Sequence, residues 1–191
     1  MCYTLFMNTI NRTLILETAE FLIEQQGMRK TSLSQVAKEL GVSHAALYKY
    51  FANKEDLWTS LAFGWLNKEL VDVFHFDPRP YDSKVALLHD WLWTLTESKK
   101  KAYDANQKMF KLYTTYIDNN PVVLNKHMHE LKETMSELLH HSNDNDLSTI
   151  LEAFVVFSAP SFAHTWDAHL QERFEAVWTL MLPGLTTLLG E

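Results

Sequence analysis

Apolar residues recur every three to four positions along the chain, and no strand-like alternation or internal repeat stands out. That spacing confines the fold to packed helices, because a 3.6-residue period gathers such residues on one helix face whereas a half-buried strand needs a period of two. The pattern predicts about nine helices. The first runs from Asn11 to Gln26, with Ile15, Ala19, Leu22 and Ile23 inward and Gly27 as its stop. Short helices follow over 33–40 and 44–51, then longer ones over 54–74, 83–100, 103–117, 122–141, 147–166 and 170–182. The breaks fall where caps and helix breakers cluster, at Gly41, at Phe76–Asp82 with its two prolines, at Asn119-Asn120-Pro121 and at Ser142–Asp146. Pro160 is expected to interrupt the helix that contains it.

Composition narrows the class. Hydrophobic residues make up 47% of 191 residues, enough for a sizeable core and too many for a disordered chain. Five glycines and five prolines exclude collagen-like and low-complexity chains and argue against a large turn-rich α/β enzyme. The single cysteine, Cys2, excludes an internal disulfide and a cysteine-rich zinc site and suits a reducing compartment. There is no run of about 18 apolar residues to span a membrane and no basic lead before an apolar stretch to direct secretion. A cytoplasmic protein is expected, with residues 1–7 as a ragged leader and Met7 as a candidate start. The net charge is −7, yet residues 1–60 carry six basic and six acidic side chains, so the excess lies entirely in the remainder. Screening over about 8 Å at physiological salt lets an acidic protein present a locally positive face.

The stretch from Thr31 to Lys54, TSLSQVAKELGVSHAALYKYFANK, carries the functional signal. Two short amphipathic helices meet at Gly41-Val42-Ser43, a helix-turn-helix pattern. Thr31 or Ser32 caps the first, and Ser43 caps the second. Ala37 is small enough for a close crossing, Val42 fills the angle, and Leu47 and Phe51 face inward. His44, Ala45, Tyr48 and Lys49 are left outside with Ser43 at the leading end, an arrangement that fits a major groove. Asn53 caps the following helix, with Glu55 and Asp56 in its first turn.

The segments ILETAEFLIEQQG, TSLSQVAKELGVSHAALYKYF and LYKYFANKEDL resemble the tetracycline-repressor (TetR) family of bacterial regulators, over about residues 12–65. The remainder is similar to that family only in length and helical pattern. The resemblance implies an all-α fold, with a helix-turn-helix DNA-binding domain at 8–53 and a helical effector-binding and dimerisation domain at 54–191. It implies a homodimer that binds a palindromic operator in double-stranded DNA, a repressor released by a small molecule held in the C-terminal domain. By position in the motif, Ser43, His44, Ala45 and Tyr48 approach bases, while Ser34, Gln35, Lys49, Tyr50 and Lys54 meet phosphates. Lys54 also opens the helix that would transmit the ligand signal. The family often has a small residue near Ala45-Ala46, and histidine where Tyr50 stands. Two alanines on the reading face leave few base hydrogen bonds, so specificity would rest on His44, Ser43, methyl contacts and DNA shape.

The remainder is rich in aromatic residues, most of which fit a core. Trp91, Phe110 and Tyr113 are candidates to line a pocket for an apolar or aromatic effector, with His89, Asn106, His164 and Asp167 as its polar groups. His129, Glu133 and His140 share a helix face opposite Leu124, Met128 and Leu131, which points them to water and away from a metal role. The last two helices are expected to form the dimer interface through Phe154, Phe157, Trp166, Phe174, Val177, Trp178 and Met181. An enzyme is disfavoured, since no phosphate loop, Gly-x-Ser-x-Gly or metalloprotease pair occurs, and no cofactor or metal is implied. An adaptor that has lost DNA binding is disfavoured by Tyr48, Lys49, Tyr50 and Lys54.

Overall fold

The computed structural model describes residues 10–191, so the expectations for Cys2 and for residues 1–7 lie outside the described residues. Ten α-helices make up most of the described chain, with no strand among the described residues. The head comprises α1 (Arg12–Gln26), α2 (Leu33–Glu39) and α3 (His44–Leu47). Asn11 caps α1 by accepting from Leu14 N–H at 2.8 Å. Gly27 ends it at φ 80°, a left-handed backbone that glycine adopts without strain, while its N–H returns to Ile23 O. Ser32, not Thr31, caps α2 in a reciprocal box with Gln35. Ile15, Ala19, Ile23, Val36, Ala37, Leu47 and Phe51 close the head's core, which passes without a break into that of the body.

The body is built on α4 (Lys54–Glu69), α5 (Val71–Phe74), α6 (Lys84–Ala105), α7 (Gln107–Tyr113), α8 (Pro121–Leu139), α9 (Asp144–Ala153) and α10 (Leu170–Leu189). The helix expected over 54–74 is broken at Leu70, whose non-helical backbone (φ −102°, ψ 18°) buries its own side chain and Val73 together. Trp91 locks this break by donating its indole N–H to Val73 O at 3.1 Å. Tyr103 belongs to the end of α6 and does not begin the next helix. Asn106 separates the two helices and caps α7 by accepting from Met109 N–H at 3.1 Å. After Tyr113 the chain widens into one π turn, Thr114–Asp118, closed by Asn119 N–H to Thr114 O at 3.1 Å.

The expected long helix over 147–166 does not exist. α9 stops at Ala153, and two 3-10 turns, Val155–Phe157 and Pro160–Thr165, carry the chain to Trp166. Pro160 has no N–H to continue the ladder, and Val156 O accepts instead from the Trp166 indole N–H at 3.0 Å. α10 in turn outlasts its expected end, running through Pro183 to Leu189. Thr179 and Pro183 lie on its exposed side, where a carbonyl left without its helical donor is open to solvent, and the inward stripe of Phe174, Trp178, Leu185 and Leu189 continues.

Candidate nucleic-acid interface and body cavity

The helix-turn-helix follows from a few backbone requirements. Gly41 sits at φ 67°, and Val42 N–H reaches back to Ala37 O at 2.9 Å, which turns the chain sharply off α2. Ser43 then opens α3 with no side-chain capping bond, so its hydroxyl stays available to an outside partner. α3 is one turn shorter than expected, four residues long, although Phe51 N–H still bonds Leu47 O at 3.2 Å and keeps the tail helical in direction. Leu47 and Phe51 are buried beneath, and Ser43, His44, Ala45, Tyr48 and Lys49 are exposed above. The His44 and Tyr48 rings meet edge to face at 5.3 Å, which limits the freedom of both before any partner arrives.

Arg12 braces the module from behind. Its guanidinium lies 4.1 Å from the Phe51 ring centroid and donates to Tyr50 O at 2.7 Å and Ser60 Oγ at 2.5 Å. Two expected phosphate contacts are engaged internally. Tyr50 Oη donates to Ile10 O at 2.6 Å, and Gln35 Oε1 accepts from Ser32 N–H at 2.8 Å. Each tethers backbone: the Tyr50 hydroxyl has spent its proton, whereas Gln35 is held only by its amide oxygen and keeps its Nε2 hydrogens for an outside acceptor. Ser34 and Lys54 are exposed as expected. Lys54 borders a groove shared with Arg29, Lys30, Lys108 and Lys111, a concentration of positive charge on an otherwise acidic chain.

The body holds a partly open cavity of about 300 Å³. Of the seven residues expected around an effector, only Tyr113 lines it. Trp91 is engaged with Val73, and Phe110 packs edge to face on Tyr113 at 5.5 Å, one layer behind the wall. Asn106 caps α7 and donates to Glu24. His89 of α6 faces α10, edge to face with Trp178 at 4.9 Å and bonded to Asp90 and Glu175. Burial works against its protonation, but the two carboxylates prevail and its pKa is raised. His164 and Asp167 are exposed, and Asp167, held low by bonds from His169 N–H and Arg173, is half of a surface clasp.

The polar groups that do face the cavity are Lys99, Asp118, His127 and Ser158, with Tyr113. Lys99 Nζ lies 2.7 Å from Tyr113 Oη and 3.4 Å from His127 Nε2. Burial brings the Lys99 ammonium down to a pKa of about 7, against the pull of Asp118. Burial, helped by Lys99, depresses His127. Burial, helped by Asp118, raises Tyr113, and burial raises Asp118 itself against Lys99. Two of these were legible. His127 falls on the stripe Leu124, Leu131, Met135, and Lys99 on the stripe Leu88, Leu92, Leu95, Ala102, each a polar residue on an apolar face. Asp118 was not, since the π turn rotates it away from ordinary helical phase.

Of the seven residues expected at a dimer interface, Phe154, Phe157, Trp166, Phe174 and Trp178 are buried within the protomer. They form the aromatic packing between α10, α6 and the 3-10 turns, with Phe174 5.4 Å from both Phe154 and Phe157. A side chain already removed from water has no surface to give a partner. Val177 and Met181 are half-buried, and the apolar surface of this region is instead Leu180, 80% exposed, with Leu182, Val155, Val156 and Phe162. Among the described residues no cluster of His, Cys, Asp or Glu suits a metal, and no helix is long and apolar enough to cross a membrane.

A braced helix-turn-helix head on a helical body with an internal cavity defines a two-part helix-turn-helix regulator. The family profile for bacterial regulatory proteins of the tetR family matches residues 15–61, and that for the tetracyclin repressor-like C-terminal domain matches residues 86–178. The chain belongs to the TetR family of DNA-binding bacterial regulatory proteins. It is 33% identical over 93 residues to the HTH-type transcriptional regulator AcrR of Shigella flexneri, a match spanning 46% of this chain and 43% of that one. It is 34% identical over 73 residues to the regulator SAB2452 of Staphylococcus aureus, spanning 35% and 40% of the two chains. The chain thus matches less than half the length of these curated relatives.

Solved structures share the fold over nearly the whole length. The TetR family repressor AlkX of Dietzia superposes with a TM-score of 0.64 at 15% identity, covering 94% of this chain and 97% of that one. BioQ, solved with its double-stranded DNA operator, gives 0.57 at 19% identity over 93% and 99%.

Proposed function

We propose that this chain is a ligand-responsive repressor that grips a palindromic operator as a homodimer and releases it when a small apolar molecule fills the body cavity. The observation that carries the reading is the exposed set Ser43, His44, Ala45, Tyr48 and Lys49, raised on the buried pair Leu47 and Phe51. Such a helix end enters a major groove, with Ser34, Lys49 and Lys54 placed for phosphates. The operator-bound BioQ structure, which shares the fold, supports duplex DNA as the partner. The head at 8–53 serves as the reader and the remainder as effector-binding and dimerisation body. The cytoplasm, where bacterial DNA lies, is its place of work, and no catalytic role is assigned.

A route between the two parts supports the ligand response. The cavity wall Tyr113 stands 6.5 Å from Trp65 of α4 by ring centroids, and α4 packs along α7 and the π turn. The other end of α4 bears Lys54. A ligand that alters the wall acts on the helix that aims the head, provided it binds the released state more tightly than the DNA-bound one. The exposed apolar band of Leu180, Leu182, Val155 and Val156 is the proposed pairing surface, with Val177 and Met181 beside it.

The test is fluorescence anisotropy on an operator obtained by sequence selection. Tyr48→Ala and Lys49→Ala should each weaken binding at least about tenfold, the loss of one charged or well-placed hydrogen bond. Sedimentation should show the variants still dimeric. Unchanged operator affinity in both variants would overturn DNA reading by α3, and a wild-type monomer at micromolar concentration would overturn the pairing surface.

A further inference from the structure

Hydrogen-bond bookkeeping in the cavity leaves donors without acceptors. Lys99 is fully buried, and as an ammonium it carries three N–H groups. It can give one to Tyr113 Oη at 2.7 Å and one to His127 Nε2 at 3.4 Å. His127 then carries its own proton on Nδ1, a buried atom with no partner. The third ammonium hydrogen and the Tyr113 hydroxyl hydrogen are likewise unaccepted. Asp118 acts on Lys99 through its charge, but no ion pair closes between them. The free hydrogens of Lys99 Nζ and Tyr113 Oη, on atoms 2.7 Å apart, form a receptor for an acceptor-only group with two oxygens. Apart from Ser158, the rest of the wall, including Leu124, Met128, Leu131, Leu151 and Val155, is apolar.

We infer that the cavity holds an apolar monocarboxylate, its oxygens accepting from Lys99 Nζ and Tyr113 Oη and its hydrocarbon lying against Leu124, Met128, Leu131 and Val155. This deepens the ligand-responsive reading by naming the ligand class, and it rests on that reading only for the effect on DNA. Size follows from volume. A dry cavity of about 150 Å³ accommodates benzene, so about 300 Å³ suits an acid of roughly eight carbons or a phenylpropionate. Asp118 opposes the incoming charge and is the one feature of the wall that would favour a cation instead.

The test is calorimetric titration of the whole chain, without DNA, at pH 6.5 with sodium octanoate, 1-octanol and octylammonium chloride. Octanoate should bind at least about tenfold more tightly than 1-octanol, the value of a charged hydrogen bond in a buried site. Lys99→Met should abolish that preference while 1-octanol still binds. Tyr113→Phe, which removes one oxygen, should weaken octanoate severalfold and leave 1-octanol unaffected, and Asp118→Asn should tighten octanoate. Because Lys99 loses its proton near pH 7 while facing Tyr113, Asp118 and His127, octanoate affinity should fall about tenfold per unit above that pH. A wild-type preference for octylammonium or 1-octanol, or octanoate binding that Lys99→Met and Tyr113→Phe leave intact, overturns the assignment. Octanoate that binds as expected but leaves operator affinity unchanged upholds the site while defeating the effector reading. Operator release by an amine or alcohol alone does the reverse.

Discussion

The head and the body arrange their polar chemistry in opposite ways. The head places it on the outside of a short, fully braced motif. Ser43, His44, Tyr48 and Lys49 take no part in the core, while beside them the Tyr50 hydroxyl and the Gln35 amide oxygen hold backbone. The body places its chemistry inside, with Lys99, Tyr113, Asp118 and His127 drawn from α6, α7, the π turn and α8. The difference teaches that recognition in the head can change with little effect on folding, whereas recognition in the body is tied to stability. A buried ammonium and an unpartnered imidazole both lower the stability of the fold until something satisfies them.

Substitutions can break that contrast or sharpen it. The largest effect is expected from Phe174→Ala, in the middle of the body's aromatic packing, at about 3–5 kcal/mol lost in thermal or denaturant unfolding. A loss below about 1 kcal/mol would show that this packing is not the mechanical heart of the body. Next comes Lys99→Met. The folded pKa of about 7 lies below the unfolded value, so the unfolded chain binds that proton more tightly. The Lys99 contribution to stability should therefore rise between about pH 7 and pH 10, by about 1.4 kcal/mol per unit, and level off below pH 7. Lys99→Met should remove this slope and melt higher than the parent chain at pH 7. A variant with the parent's slope would show that Lys99 keeps an ordinary pKa.

Smaller effects belong to the head. Gly41→Ala forces a side chain into a left-handed backbone and should cost about 1 kcal/mol, read as a lower Tm. Its Cβ would meet nothing within 4 Å, so the loss is one of backbone strain and not of collision. Smallest is Lys49→Ala, within about 0.5 kcal/mol of the parent in stability. A large destabilisation there would erase the separation of reading from folding.

What the sequence disclosed follows the same line. The head was legible because it is local. Gly41, Ser43 and the periodicity of Leu33, Val36, Leu47 and Phe51 lie within two dozen residues, and each obeys a rule of caps, turns or faces. The body cavity was not, because it joins residues from Lys99 to Ala159 through a π turn and a broken helix. Polar residues far from that wall, His164 and Asp167 among them, offered the same local pattern as true lining residues. Five of the seven expected dimer contacts are internal for a related reason. Phe154, Phe157, Phe174 and Trp178 are as apolar as any interface, and only the fold reveals that they cover one another.

The Arg12 brace has a mechanical consequence. By joining α1 to Tyr50 O, to the Phe51 face and to Ser60 on the second turn of α4, it makes the head and the start of that helix move as one piece. α4 is 16 residues long, so at 1.5 Å per residue it is a lever of about 24 Å ending at the break after Glu69. Pivoting that lever by about 5° displaces Lys54 by about 2 Å and carries the reading residues with it. A displacement in the first decimal place at the body's wall is thereby magnified into a mismatch with the pitch of the double helix.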